Sequence, residues 1–175
     1  KSAKKYCDDH FGHIHHPGIG DAAQMVQDFY EAEHRRDPRV TWEDIVIWKM
    51  DIKGAYTLIN LAASGVHLMG VEIAAGLIMF CFCGVFGWTG TPAAFQVVTR
   101  VIVFELTRLL SGRVTMYVDD LLGCCLLRFR QRDMSIAQCF VEDLLGQGAI
   151  ADHKTFFGRR LDYIGYDMDL STRTV

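Results

Sequence analysis

The chain has no excess of basic charge. Its 18 Lys and Arg are outnumbered by 21 Asp and Glu, giving a formal net charge of −3. A phosphate polymer would therefore have to be met by a local basic surface, and the balance argues against tight, autonomous binding of DNA or RNA. A disulfide framework is also missing. Cys81 and Cys83 alternate with Phe80 and Phe82, Cys124-Cys125 lies in another apolar run, and Cys7 and Cys139 stand apart. This usage is that of reduced, buried thiols in an intracellular protein, cytoplasmic or nuclear and not secreted. There is no initiator Met, signal peptide or transit peptide, and the chain runs abruptly from Lys1 to Val175. The expectation is a piece of something longer.

An uninterrupted membrane span is lacking as well. Residues 71–88 carry Glu72 as their one charge, yet Gly76, Gly84 and Gly87 divide them and Phe80-Cys81-Phe82-Cys83 is β-prone. Two buried strands joined near Ala74-Ala75-Gly76 are expected, and no membrane partner.

With 175 residues, half of them apolar, the chain can bury a substantial core. His10, His13, His15 and His16, with Cys7, Asp8 and Asp9, could hold zinc by residue type. No second ligand pair at finger spacing follows, so they read as exposed or partner-facing groups. Lys1, Lys4 and Lys5 read as solvated. Asp21 is placed to cap a helix over residues 22–34, with Met25, Val26, Phe29 and Tyr30 on its apolar face. Ile45 to Met50 predicts a strand with Asp51 at its end, followed by a short helix through Leu61. Residues 66–73 and 77–83 predict strands. Thr91-Pro92 predicts a helix start, Thr91 as N-cap, running to about Leu110 before Ser111-Gly112. A further helix is expected over residues 134–145 and strand over residues 161–170. Irregular alternation of this kind points to an α+β fold, a mainly antiparallel sheet with helices on one face.

Within it, Thr115-Met116-Tyr117-Val118-Asp119-Asp120-Leu121-Leu122-Gly123 reads as strand, tight turn, strand. Adjacent aspartates repel and lose hydration at such a place. A hairpin tip that simply uses Asp as a turn former satisfies the pair, and so does a hard divalent cation. Asp51, also at a strand end, decides what to look for. If the two strands are neighbours, three carboxylates converge, as a two-metal site for in-line phosphoryl transfer requires.

At this point the residues resemble a family. Met50-Asp51-Ile52-Lys53-Gly54-Ala55-Tyr56 is similar to the first palm motif of reverse transcriptases. Phe86-Gly87-Trp88-Thr89-Gly90-Thr91-Pro92-Ala93-Ala94-Phe95 resembles their glycine-rich second motif, and Tyr117-Val118-Asp119-Asp120 their Tyr-x-Asp-Asp hairpin. His153-Lys154-Thr155 looks like the lysine motif, and Leu161-Asp162-Tyr163-Ile164-Gly165-Tyr166 like the hairpin that grips the primer. The motifs stand in the family's order.

The resemblance implies a polymerase palm over residues 45–175 behind a partial fingers or N-terminal segment, residues 1–44, with thumb and RNase H parts absent. It implies Asp51 and Asp119 as principal ligands of two Mg²⁺ or Mn²⁺ ions, with the Ile52 carbonyl nearby and Asp120 in support. Lys154 would protonate or neutralise the pyrophosphate leaving group. Tyr56 would crowd a ribose 2′-OH, and Gly87 and Gly90 would admit the nucleotide or template beside Phe86 and Tyr117. Ile164, Gly165 and Tyr166 would hold the primer. Phe86 stands where retroviral members have glutamine and retrotransposon members often an aromatic, which points to a retroelement. The basic residues on offer to clamp a triphosphate, Lys4, Lys5, Arg35 and Arg36, fall in no motif of the family.

The implied function is RNA-directed DNA synthesis on an RNA or DNA template-primer from dNTPs, in company with other parts of a retroelement polyprotein. Two rivals stand beside it: a degenerate, inactive palm, and a membrane or scaffold segment built on residues 71–88.

Overall fold

The computed structural model describes Asp9, residues 15–88 and residues 90–174. His10, His13, Cys7, Asp8, Lys1, Lys4, Lys5 and Thr89 lie outside the described residues. The chain forms two compact units, Lys1–Ile14 with Gly54–Val98, and His15–Lys53 with Thr99–Val175.

The second unit is built on β1 (Ile45–Asp51), a seven-residue apolar strand. Ile45, Val46, Ile47, Trp48 and Met50 are all buried, so both faces of the strand are covered, where helices were expected on one face of the sheet. Its partners are β5 (Asp120–Leu126) and β6 (Phe156–Gly158), and β4 (Arg113–Tyr117) completes an antiparallel sheet of order β4-β5-β1-β6. Trp48 faces Gly123 in the β1–β5 register. The pairing requires glycine there, because a Cβ on Gly123 would stand 2.1 Å from the Trp48 ring.

One face of the sheet is covered by α1 (Ile19–Arg36) and by the hairpin of β7 (Arg160–Tyr163) and β8 (Tyr166–Asp169). Ala22, Val26, Phe29 and Glu33 are the buried positions of α1, the spacing of a single helical face. Ala22, Val26 and Phe29 pack with Ile45, Ile47, Leu122 and Cys124 from the sheet and Leu161, Tyr163 and Met168 from the hairpin. The helix starts at Ile19, ahead of the expected position. Asp21 therefore sits inside its first turn and reaches back to accept from the Gly18 N–H at 2.8 Å.

The α3 helix (Arg130–Leu145) begins earlier than its apolar periodicity indicated. Its fully buried Asp133 accepts from the Ser111 hydroxyl and from the Ser111 and Gly112 N–H groups, clamping the turn that leads into β4.

In the first unit the expected hairpin forms as β2 (Gly70–Ala74) and β3 (Leu77–Phe80), turning at Gly76 with φ 76. It is not buried. Val71, Ile73, Leu77, Ile78 and Phe80 are 45–56% exposed, and Cys81 and Cys83 are only partly covered. Hydrophobic runs forecast burial, but a two-stranded ribbon has two faces, and its own unit covers neither. The segment expected to begin the first strand is instead a 3₁₀ helix, Ala63–Leu68, and the short helix after Asp51 is a 3₁₀ turn at Ala55–Leu58. The α2 helix spans Gly90–Leu109. Thr91 lies within its first turn, with its N–H on the Trp88 carbonyl and its buried hydroxyl unpartnered, so it is not the cap. Among the described residues no helix is long and apolar enough to cross a membrane.

Candidate active site

The carboxylate end of the site is set by strand register. β1 and β5 run antiparallel from Ile45 opposite Leu126 to Asp51 opposite Asp120. Asp119 is the second residue of the two-residue turn between β4 and β5, and its carbonyl accepts from the Ile52 N–H at 2.9 Å. Val118, the first turn residue, is held at φ 52. A β-branched side chain in the left-handed region is strained by ~1–2 kcal/mol, a conformation the surrounding structure must impose. Sequence periodicity found the turn, but not that strain.

The electrostatics follow from this placement. Burial pushes the Asp119 carboxyl up from its ordinary 3.8, and the charge of Asp51 adds to the shift. Asp120 is raised first by burial and then by Asp119, with Lys49 opposing. Lys154, 103 residues away in sequence, donates to Asp51 Oδ1 at 3.0 Å. The ammonium is held charged by that hydrogen bond. It is a cation standing where the carboxylates call for one.

These oxygen donors fit a hard divalent cation in type and in charge. They act as an interacting set and not as a closed shell. Among the described residues no three His, Cys, Asp or Glu side chains are gathered closely enough to hold a metal ion.

Beside the turn lies an open groove of about 500 Å³, lined by Gly18, Ile19, Tyr117, Asp119, Asp120, Ile164 and Tyr166. The sequence motifs named five of these seven residues. Gly165 is at the tip of the β7–β8 hairpin, where Ile164 (φ 46) and Gly165 (φ 82) form a turn left-handed at both positions. Two residues beside the groove have no role at this site in the sequence reading. His16 lies against Tyr117 with ring centroids 5.4 Å apart, and burial followed by the neighbouring His15 lowers its pKa. Tyr163, fully buried, donates its hydroxyl to the Asp120 carbonyl at 3.3 Å. The only sequence signal for Tyr163 was an aromatic directly ahead of Ile164-Gly165.

The remaining expected residues belong to the first unit. Tyr56 packs against Phe86 with centroids 4.9 Å apart and against Phe95 at 6.1 Å. Phe86 is 87% exposed, so this aromatic pair presents a free ring. Gly87 has φ 91 and open space around its missing Cβ, whereas at Gly90 that space is filled by the Trp88 ring, 2.5 Å away. Of the basic residues offered for a triphosphate, Arg36 pairs with Glu33 and Arg35 donates to the Glu31 carbonyl. Both are spent on their own helix.

No protein-family model and no curated protein sequence matches the chain. Solved structures do. The foamy viral protease-reverse transcriptase in complex with an RNA/DNA hybrid is similar at a TM-score of 0.57 and 13% identity, over 71% of this chain and 16% of that one. Telomerase from Candida albicans, in complex with the TWJ fragment of telomeric RNA, is similar at a TM-score of 0.58 and 10% identity, over 95% of this chain and 35% of that one. At such identities the likeness is one of fold: the chain has a reverse-transcriptase-like, polymerase-type fold. It spans well under two thirds of either neighbour's length.

Proposed function

We propose that this chain is the palm portion of a retrotransposon-type reverse transcriptase, with a partial fingers segment, and that it transfers deoxynucleotides to a primer 3′-OH on a nucleic-acid template. The observation that carries the reading is the β1–β5 register. It sets Asp51 opposite Asp120, with Asp119 in the adjoining turn and Lys154 on Asp51.

In this reading Asp51 and Asp119 hold the cations, aided by the Ile52 carbonyl, and Asp120 supports them. Two Mg²⁺ or Mn²⁺ ions would supply activation of the attacking oxygen and neutralisation of the leaving oxygen. The groove between the carboxylate turn and the β7–β8 tip receives the primer end, against Tyr117, Ile164, Gly165 and Tyr166. As the 3′ oxygen bonds to the α-phosphorus, the bond to pyrophosphate breaks. Lys154, charged and half-exposed beside Asp51, neutralises or protonates that leaving group. Tyr56 and Phe86 supply the aromatic surface that disfavours a ribose 2′-OH, and Gly87 admits the incoming nucleotide. The nucleic acids bound in the two structural neighbours support a nucleic-acid partner, which in this reading is a template-primer with dNTPs as the second substrate.

The test is primer extension on an RNA template with Mg²⁺ or Mn²⁺, comparing the chain with Asp119→Asn. Extension that depends on Asp119 is the expected result. Absence of Asp119-dependent extension, even from a longer polypeptide containing this chain, refutes the catalytic reading.

A further inference from the structure

Tyr163 belongs to none of the roles assigned above, yet its hydroxyl touches the backbone of the carboxylate turn. Its ring is fully buried among residues of α1, β1 and β5. Its hydroxyl donates to the Asp120 carbonyl at 3.3 Å. Tyr117 and Asp120 are register partners, the pair that closes the two-residue turn. The phenol therefore holds one side of the mouth of the turn that carries Asp119 and the strained Val118. Through its own backbone, Tyr163 leads directly into the Ile164–Gly165 tip on the other side of the groove.

A buried phenol generally finds some partner, so a hydrogen bond alone would call for no comment. What distinguishes this one is its address. Of all the carbonyls in the sheet, the hydroxyl takes the one belonging to a site carboxylate, at a turn whose conformation is not self-sustaining.

We propose that Tyr163 is a positioning residue that fixes the carboxylate turn relative to the β7–β8 hairpin, so that the cation ligands and the primer-holding tip keep one spacing. This rests on the polymerase reading of the site.

The variant is Tyr163→Phe, which keeps the ring and removes the donor. Two readouts are taken on the purified chain: Mn²⁺ affinity by electron paramagnetic resonance, and hydrogen exchange of the amides of residues 117–120 against those of Trp48 and Met50. The expected result is a folded variant with Mn²⁺ affinity about tenfold lower, the low end for groups that orient metal ligands. Exchange should be faster at residues 117–120 and unchanged in β1. Unchanged affinity and exchange overturn the proposal, and so does exchange that speeds up uniformly along β1, which marks a role in general packing only. Failure of the polymerase reading looks different: the unaltered chain binds no Mn²⁺, or Asp119→Asn binds it equally well, while amide exchange still reports on the turn. If the Phe variant does not fold, the Tyr163 hydroxyl proton of the unaltered chain decides by NMR. A cross-peak to an amide of residues 117–120 supports the proposal, and its absence overturns it.

Discussion

Substituting Gly123 by alanine tests whether the β1–β5 pairing is as tightly fitted as the site requires. The Cβ would stand 2.1 Å from Trp48 Cζ2 and 2.2 Å from Cε2, far inside van der Waals contact. Trp48 is fully buried and cannot swing into solvent. Either the indole leaves its rotamer or the two strands part, and overpacking of this kind costs ~1–3 kcal/mol. With so rigid a neighbour the upper end applies. For a chain of this size ~3 kcal/mol corresponds to a fall in Tm of roughly 6–12 °C. Thermal and urea unfolding followed by circular dichroism measure it directly. The double variant Gly123→Ala with Trp48→Phe gives the sharper readout. A smaller ring returns the missing space, so the two changes should be non-additive, with a coupling of ~1 kcal/mol or more. Because the pair sits three positions from Asp51 and Asp120 in the same register, Mn²⁺ affinity should fall with the single variant and recover in the double. A Gly123→Ala chain within ~0.5 kcal/mol of the unaltered one, as an ordinary surface change would be, refutes the close fit. Strict additivity in the double variant refutes its attribution to Trp48.

Two further outcomes follow from the carboxylates. Lys154→Gln removes the ammonium from Asp51 Oδ1 and should make stability more responsive to divalent cations. At metal tenfold above its Kd, linkage supplies ~1.4 kcal/mol, a Tm gain of roughly 3–6 °C by calorimetry. The same gain surviving an added Asp119→Asn would place the metal elsewhere. The second concerns pH. Asp119 and Asp120 have folded pKa values raised above 3.8, so the fold favours their protonated forms. Without metal, their contribution to stability should decline as pH rises from about that value through the raised ones. The metal-linked Tm gain should run the opposite way, vanishing as acid protonates the ligands. Melting curves from pH 4 to 8, with EDTA and with Mn²⁺, resolve both, and Asp119→Asn should flatten them.

Much of the candidate site is legible along the chain. Asp51, Tyr117, Asp119 and Asp120 announce themselves because each acidic residue ends or interrupts a run of β-formers, and strand ends put side chains where solvent and ligands are. Lys154 and the Ile164–Gly165 tip were found only as members of an ordered set of motifs. The misreadings have a common source. Residues 71–88 are almost wholly apolar and read as two buried strands, yet composition reports which residues prefer to be covered and not whether a neighbour covers them. Thr91 looked like a cap because composition marks the neighbourhood of a helix start, while the backbone bond to Trp88 sets the turn itself.

The sequence by itself determined most of the strands and the long helices, the Val118–Asp119 turn and the residue types available for cation chemistry, because these depend on local periodicity and on what each side chain is. Tertiary structure alone decided that Asp51 faces Asp120, that Lys154 reaches Asp51, and that the Tyr163 hydroxyl meets the carboxylate turn. Each of these joins residues far apart in the chain, and strand register and packing bring them together, which local sequence does not encode.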